Sequence, residues 1–500
     1  MLVLGVDSST TSTKAIAWDA TGAPVAEGRA SFTLENPAPD AWEQDAESWW
    51  AATQVALAGC VNALGPRAAE LRALCLTHQR ETFVLTDADS RPLHPALVWM
   101  DARGVEQVDR AREKLGNNRL RELSGKPPCI TPALYKLMAL FGRRVDLAAT
   151  RPQVSDVHAF LVRRLVGRFV TSLASADPLG LVDMRARTWS PELCALAGLV
   201  PSQLPELVEP GAPLGVLAPE VARVTGLPSG LPVIAGAGDG QAAGLGAGIS
   251  GPGRAYLNLG TAIVSGVLSS EYVTSDAFRT LYAARPGTFF LETDLKGGTF
   301  TLDWLAARLL GDSTERLGKL EAEAAHLPAG SEGLMLVPYW NGVMNPYWDD
   351  AATGLVVGLT GRHGPAHFYR AALEGIAFEQ RLHSSGVEAA AGQRIEEVIV
   401  MGGGSKSALW CQLLADVLGK RVTRASTSEA TALGAGILAA VAAGLHPDLE
   451  TATEHMTGCA ESFAPGEHAA RYDALYREVY TGLFPALRAP MSRLAALTRA

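Results

Sequence analysis

The chain has 500 residues, 48% hydrophobic and 19% charged, which at roughly 150 residues per domain allows two to four domains with large cores. A formal net charge of −9 excludes a basic footprint for nucleic acid or an anionic membrane, so an anionic ligand would need a local basic site. The 51 glycines follow no period, which excludes collagen and indicates many tight turns. The six cysteines form no C-x-x-C pair, so reduced, mostly buried thiols are expected rather than disulfides or zinc ligands.

In chain order, Leu2 to Val6 is an apolar run that ends at Asp7, and Ala15 to Trp18 is a second one. Between them, Ser8 to Lys14 supplies hydroxyls, backbone N–H groups and one ammonium. This pattern predicts strand, tight turn, strand. Such a turn holds phosphate oxygens, and a carboxylate beside it holds the accompanying magnesium. A Ser/Thr-rich hairpin that only caps its own backbone has the same composition. No secretory leader is expected, because Asp7 interrupts the short apolar opening. Trp49 to Leu64 and Val105 to Leu123 read as helices, and Arg72 to Thr77 and Thr82 to Leu85 as strands. Arg80 and Glu81 fall at the break between those two strands, where a donor fork and an acceptor suit a polyol. Trp99 and Asp101 likewise pair an aromatic surface with a hydrogen-bonding group. Strands alternate with helices throughout, so the fold class is α/β.

Leu199 to Pro232 is Pro-rich and loop-like. The glycine stretch Gly236 to Gly248 follows and marks the domain junction, dividing the chain into lobes 1–245 and 246–500; it is also a candidate hinge. Within it, Asp239 is a carboxylate flanked by glycines, open to a substrate hydroxyl as a general base or shaping a turn. Gly246, Gly248 and Gly251 satisfy G-x-G-x-x-G, but Pro252 and a strand follow where a helix is required, and no Walker-type loop occurs. Ala255 to Val267 repeats the opening pattern around Gly260 and Thr261. Val398 to Met401 is a buried strand, followed by a Gly-rich turn from Gly402 to Ser407 and a helix, an arrangement that presents N–H groups to a nucleotide. Ala432 to Leu445 is too short to span a bilayer comfortably and fits a close-packed core helix.

Taken in order, these segments resemble the FGGY family of carbohydrate kinases over nearly the whole chain. The most specific piece is Gly354-Leu355-Val356-Val357-Gly358-Leu359, followed after seven residues by His367-Phe368-Tyr369-Arg370-Ala371-Ala372-Leu373-Glu374. The resemblance implies a two-lobed actin-like, ribonuclease-H-like fold around an active-site cleft, with ATP and magnesium as cofactors. By position, Asp7 would hold hydrated magnesium with help from Asp239, and Thr10, Thr11 and Lys14 would contact phosphates. Gly260 and Thr261 would form the second phosphate turn, and Gly403 and Ser407 would border adenosine. Asp239 matches the family's catalytic base; Arg80, Glu81, Trp99 and Asp101 fall where it binds its sugar or polyol. Lys136 of the N-terminal signature is kept, while Ala139 replaces its tryptophan.

The family's glycerol kinases carry an Arg-Glu pair like Arg80-Glu81, an aromatic clamp at Thr131 and a glutamine at Gly240. Its xylulokinases, the group most resembled, have Met-His at positions 80 and 81. Losing the aromatic and the glutamine is expected to enlarge the pocket and favour a ketopentose such as D-xylulose over glycerol. A glycerol or polyol kinase and a non-catalytic actin-like nucleotide-binding regulator are the rival readings. The expected setting is cytoplasmic. The expected partner is a small sugar or polyol, without nucleic acid or membrane, and with a homodimer compatible.

Overall fold

The opening run forms β1 (Leu2–Ser8), reverses over three residues and returns as β2 (Ser12–Trp18), with Asp7 opposite Lys14 in the antiparallel register. The computed structural model describes residues 1–311 and 314–498. β3 (Pro24–Ser31) extends the hairpin, and β4 (Leu71–His78) runs parallel to β1 on its other side. β5 (Pro213–Val216) and β6 (Pro232–Ile234), from the Pro-rich stretch, complete a six-stranded sheet ordered β5-β6-β4-β1-β2-β3.

The second half builds a seven-stranded sheet. Its strands are β7 (Arg254–Leu259), β8 (Ile263–Ser269), β9 (Arg279–Tyr282), β10 (Phe289–Leu295), β11 (Glu397–Met401), β12 (Arg421–Ala425) and β13 (Cys459–Phe463), ordered β9-β10-β8-β7-β11-β12-β13. In each sheet an antiparallel hairpin lies beside a parallel strand: β1–β2 with β4, and β7–β8 with β11. The repetition read in the sequence is therefore a duplicated sheet.

Alternation along β1 assigns its two faces. Leu2, Leu4 and Val6 join the apolar cluster of α1 (Ala46–Leu64), which Asp45 caps by accepting from the Glu47 N–H at 3.0 Å. The helix expected over Val105 to Leu123 is instead two, α2 (Val105–Leu115) and α3 (Asn117–Ser124). Gly116 separates them at φ +76°, its N–H closing on the Arg112 carbonyl, a positive-φ backbone that glycine adopts without strain. The glycine stretch is also not the loop expected of it. It contains a buried helix, α4 (Asp239–Gly246). α5 (Pro365–Ala391) and α6 (Ala408–Leu418) pack on the second sheet, with Ile376 and Leu414 buried against Leu257 and Val398.

The apolar segment near the end forms α7 (Ala430–Ala442), which lies on the first sheet, with Leu433 and Ile437 beside Val3, Ile16 and Trp18. A helix from the second half thus completes the core of the first. α4 and α7 touch backbone to backbone: a Cβ at Gly434 would overlap the Ala242 carbonyl, and one at Gly246 the Ala430 carbonyl. Gly434→Ala is expected to cost about 1–3 kcal/mol, the usual range for overpacking. An unchanged urea midpoint in that variant would contradict this packing.

Candidate active site

Three parallel strands, β1, β4 and β6, end on one edge, the place where open α/β sheets bind ligands. Asp7 stands one residue before the end of β1. Arg80 and Glu81 follow β4. A parallel bridge from His78 to Gly238 brings Asp239, the first residue of α4, alongside them. Asp239 stays accessible, its side chain 41% exposed, and Arg80 Nε pairs with its Oδ1 at 2.9 Å. Partial desolvation beside Arg80 raises the Asp239 carboxyl above its ordinary value, and the Arg80 guanidinium opposes the rise. The Asp7 carboxyl is lifted to about 7 by burial and by the nearby negative charge of Asp239.

The Arg80 side chain lies flat along the Asp239 backbone. A Cβ at Gly238 would stand 2.5 Å from Arg80 Cγ, and one at Gly240 2.9 Å from Cζ. The space expected to open at Gly240 is therefore filled by the guanidinium, and the enlarged-pocket argument loses that half of its basis. Arg80 is also held from behind, Nη1 donating to Glu292 Oε2 at 2.8 Å. Glu81 pairs with Arg279 Nη1 at 2.8 Å, and Arg279 pairs with Glu292 at 2.8 Å and Asp294 at 2.9 Å. The strongest signal for this array lies in β10, Phe-Phe-Leu-Glu-Thr-Asp-Leu, where two carboxylates two residues apart interrupt an apolar strand. Sequence reading overlooked Arg279, Glu292 and Asp294, and that spacing puts both acids on one face. Burial works against ionisation of Glu292, yet Arg80 and Arg279 hold its pKa below the ordinary value.

The other expected residues separate into open and engaged groups. Thr11 is exposed at the β1–β2 turn, and Thr10 Oγ1 accepts from Trp99 Nε1 at 3.1 Å, so Trp99 braces that turn. Lys14 Nζ is paired with Glu429 Oε2 at 2.6 Å. Asp101 is buried, and its Oδ2 takes both the Trp42 N–H at 3.0 Å and Arg103 Nε at 2.8 Å. Its carboxylate braces that loop rather than opening to a ligand. Lys136 is likewise buried, donating to the Ile130 and Thr131 carbonyls.

On the second sheet, Gly260 and Thr261 form the β7–β8 turn, whose carbonyls accept from Thr299 at 2.9 Å and Phe300 at 3.3 Å. Beyond β11, a Cβ on Gly403 would meet nothing within 4 Å. Ser407 caps α6, accepting from the Trp410 N–H at 3.0 Å and donating to Glu321.

These features fit a nucleotide with its cation. Asp7 Oδ1 is buried without a hydrogen-bond partner, a vacancy a cation or its water would satisfy. Two turns, one per sheet, and open backbone at Gly403 offer N–H groups to phosphates and space to adenosine. Among the described residues no group of three or more His, Cys, Asp or Glu forms a ready-made metal cage. Phosphate oxygens and water would therefore complete the coordination.

Comparison with known proteins agrees with this arrangement. Residues 2–246 match the N-terminal domain of the FGGY family of carbohydrate kinases, and residues 255–443 its C-terminal domain. The chain is 29% identical over 503 residues to a xylulose kinase of Bacillus subtilis, covering 96% of each. It is 32% identical over 459 residues to a glycerol kinase of Alkalilimnicola ehrlichii, covering 89% of this chain and 90% of the relative. The crystal structure of xylulose kinase from Rhodospirillum rubrum superposes with a TM-score of 0.90 at 28% identity, covering 98% of this chain and 100% of that one. The duplicated sheets are the two lobes of the actin-like α/β fold.

Proposed function

The chain belongs to the FGGY family of carbohydrate kinases, and from that premise we propose that it transfers the γ-phosphoryl group of ATP to a terminal hydroxyl of a ketopentose, D-xylulose first. The observation that carries the transfer is the accessible Asp239 carboxylate beside Arg80, within electrostatic reach of Asp7. ATP supplies the phosphoryl group, and Asp7 and Asp239 would hold magnesium, which when bound would offset charge on the phosphate oxygens. Asp239 accepts the hydroxyl proton as the sugar oxygen bonds to phosphorus and the bond to the ADP oxygen breaks. Thr10, Thr11, Lys14, Gly260 and Thr261 contact phosphates, and Lys14 exchanges Glu429 for a phosphate oxygen. Gly403 and Ser407 border the adenosine. Arg80, Glu81 and Trp99 face the acceptor, and Asp101 shapes its rim. The lobes divide near residues 245 and 246.

The ketopentose reading rests on the likeness to xylulose kinases across the whole chain. A glycerol or polyol kinase is the second reading, supported by the Arg80-Glu81 pair and the glycerol kinase relative. A regulator without turnover has no use for Asp7 and Asp239 set together. Six free thiols support the proposed cytoplasmic setting. No described helix is long and apolar enough to cross a membrane.

A panel of D-xylulose, D-ribulose, erythritol and glycerol tests the acceptor. We expect glycerol to have a kcat/KM at least about tenfold below the best ketose, because a smaller acceptor leaves buried polar groups unpaired. Glycerol as the best substrate would overturn the ketopentose reading and favour the polyol one.

A further inference from the structure

Glu81 holds a backbone conformation that resists it. Its φ is +55°, in the left-handed region that costs a non-glycine residue about 1–2 kcal/mol, and such strain collects at functional sites. The contact that secures it comes from the other lobe. Arg279 reaches from β9 and donates from Nη1 to Glu81 Oε1 at 2.8 Å, both side chains being 5% exposed. Arg279 is itself clasped by Glu292 and Asp294 of β10 at 2.8 and 2.9 Å. Glu292 takes Arg80 as well, and the Tyr256 hydroxyl at 2.9 Å. At this floor the guanidinium groups of Arg80 and Arg279 face the carboxylates of Glu81, Asp239, Glu292 and Asp294. The two guanidiniums are outnumbered and both are paired with carboxylates, while of the buried ammonium groups nearby Lys126 faces Asp177 at 3.5 Å and Lys136 donates only to the Ile130 and Thr131 carbonyls.

We propose that Arg279 is a specificity-determining residue of the acceptor site. It fixes Glu81 in its strained pose, leaving the second Glu81 oxygen for an acceptor hydroxyl. With its own charge committed to Glu292 and Asp294, it makes the site one for uncharged polyhydroxylated acceptors, closed to sugar acids. A carboxylate entering this floor would find both guanidiniums committed to carboxylates, the nearby Lys136 ammonium fully buried on the Ile130 and Thr131 carbonyls, and several like charges, and a buried unpaired ion is strongly disfavoured. The inference rests on the sugar-kinase reading above.

The test uses the full chain with Arg279→Lys and Asp294→Asn. Acceptor and MgATP kinetics are measured, and D-gluconate binding is followed by calorimetry. A lysine cannot reproduce a guanidinium that reaches three carboxylates, so Arg279→Lys is expected to raise the acceptor KM about tenfold or more while the MgATP KM stays within about twofold. Asp294→Asn removes one of the carboxylates facing Arg279 and is expected to admit D-gluconate, whereas the unmodified protein is expected to show no gluconate binding. An Arg279→Lys variant that changes neither KM, or both equally, overturns the inference. So does gluconate binding to the unmodified protein. Should Arg279→Lys fail to fold, the gluconate comparison with Asp294→Asn decides alone. Absence of acceptor-dependent turnover in the unmodified protein would instead sink the kinase reading, and the gluconate titration still judges the array independently of it.

Discussion

Asp239→Asn is expected to lower acceptor-dependent turnover by roughly 10²–10⁴-fold, the usual contribution of a positioned general base. The substitution keeps the size of the side chain and leaves an oxygen for Arg80 Nε, which now lies 2.9 Å from Oδ1. What disappears is the ability to take the hydroxyl proton. MgADP binding in calorimetry should persist, because Gly260, Thr261 and Gly403 stand on the other sheet. The Gly240 N–H, donating to Asp239 Oδ1 at 2.7 Å, gives the amide the same anchor as the acid. Near-normal turnover in this variant would remove Asp239 from the chemistry.

Asp7→Asn should act on nucleotide use and on stability in opposite directions. Its carboxyl is raised to about 7 by burial and by Asp239, with Lys14 opposing, and Oδ1 has no partner. A carboxyl whose folded pKa exceeds its unfolded one costs stability once pH passes the unfolded value. The cost grows until pH reaches the folded value, so it is present at pH 7. Replacing it by an uncharged amide should raise the thermal midpoint of the metal-free protein at pH 7 and remove the rise expected on adding magnesium with ADP. Turnover at fixed MgATP should fall about 10²-fold or more, since charge on the transferring group is then poorly neutralised. The stability gain and activity loss together are the trade-off expected of a strained functional site. A variant with unchanged magnesium dependence and an unchanged midpoint would contradict the role.

What the sequence made legible was local. The β1–β2 and β7–β8 hairpins and the strand before Gly402 are each written in contiguous residues, and alternation is enough to read them. Partners far apart in the chain were not legible. Glu81 and Arg279 are 198 residues apart and Lys14 and Glu429 are 415 apart, so no pattern within a window connects them. α4 was misread for a different reason. Glycine carries a poor helix propensity, and the segment is helical because α7 packs against it through Gly434 and Gly246, a tertiary contact that overrides the local preference. The reading of Gly240 as empty space failed because a missing side chain says nothing about what moves in, and Arg80 moves in.

The most direct test of the central claim follows the phosphorus. The purified protein is incubated with MgATP and D-xylulose, with ribulose, erythritol and glycerol in parallel, and the products are read by phosphorus NMR. The account predicts a new phosphomonoester signal that grows in step with ADP, depends on the acceptor and vanishes in Asp239→Asn. ADP appearing only with inorganic phosphate, at a rate indifferent to every acceptor, would contradict it.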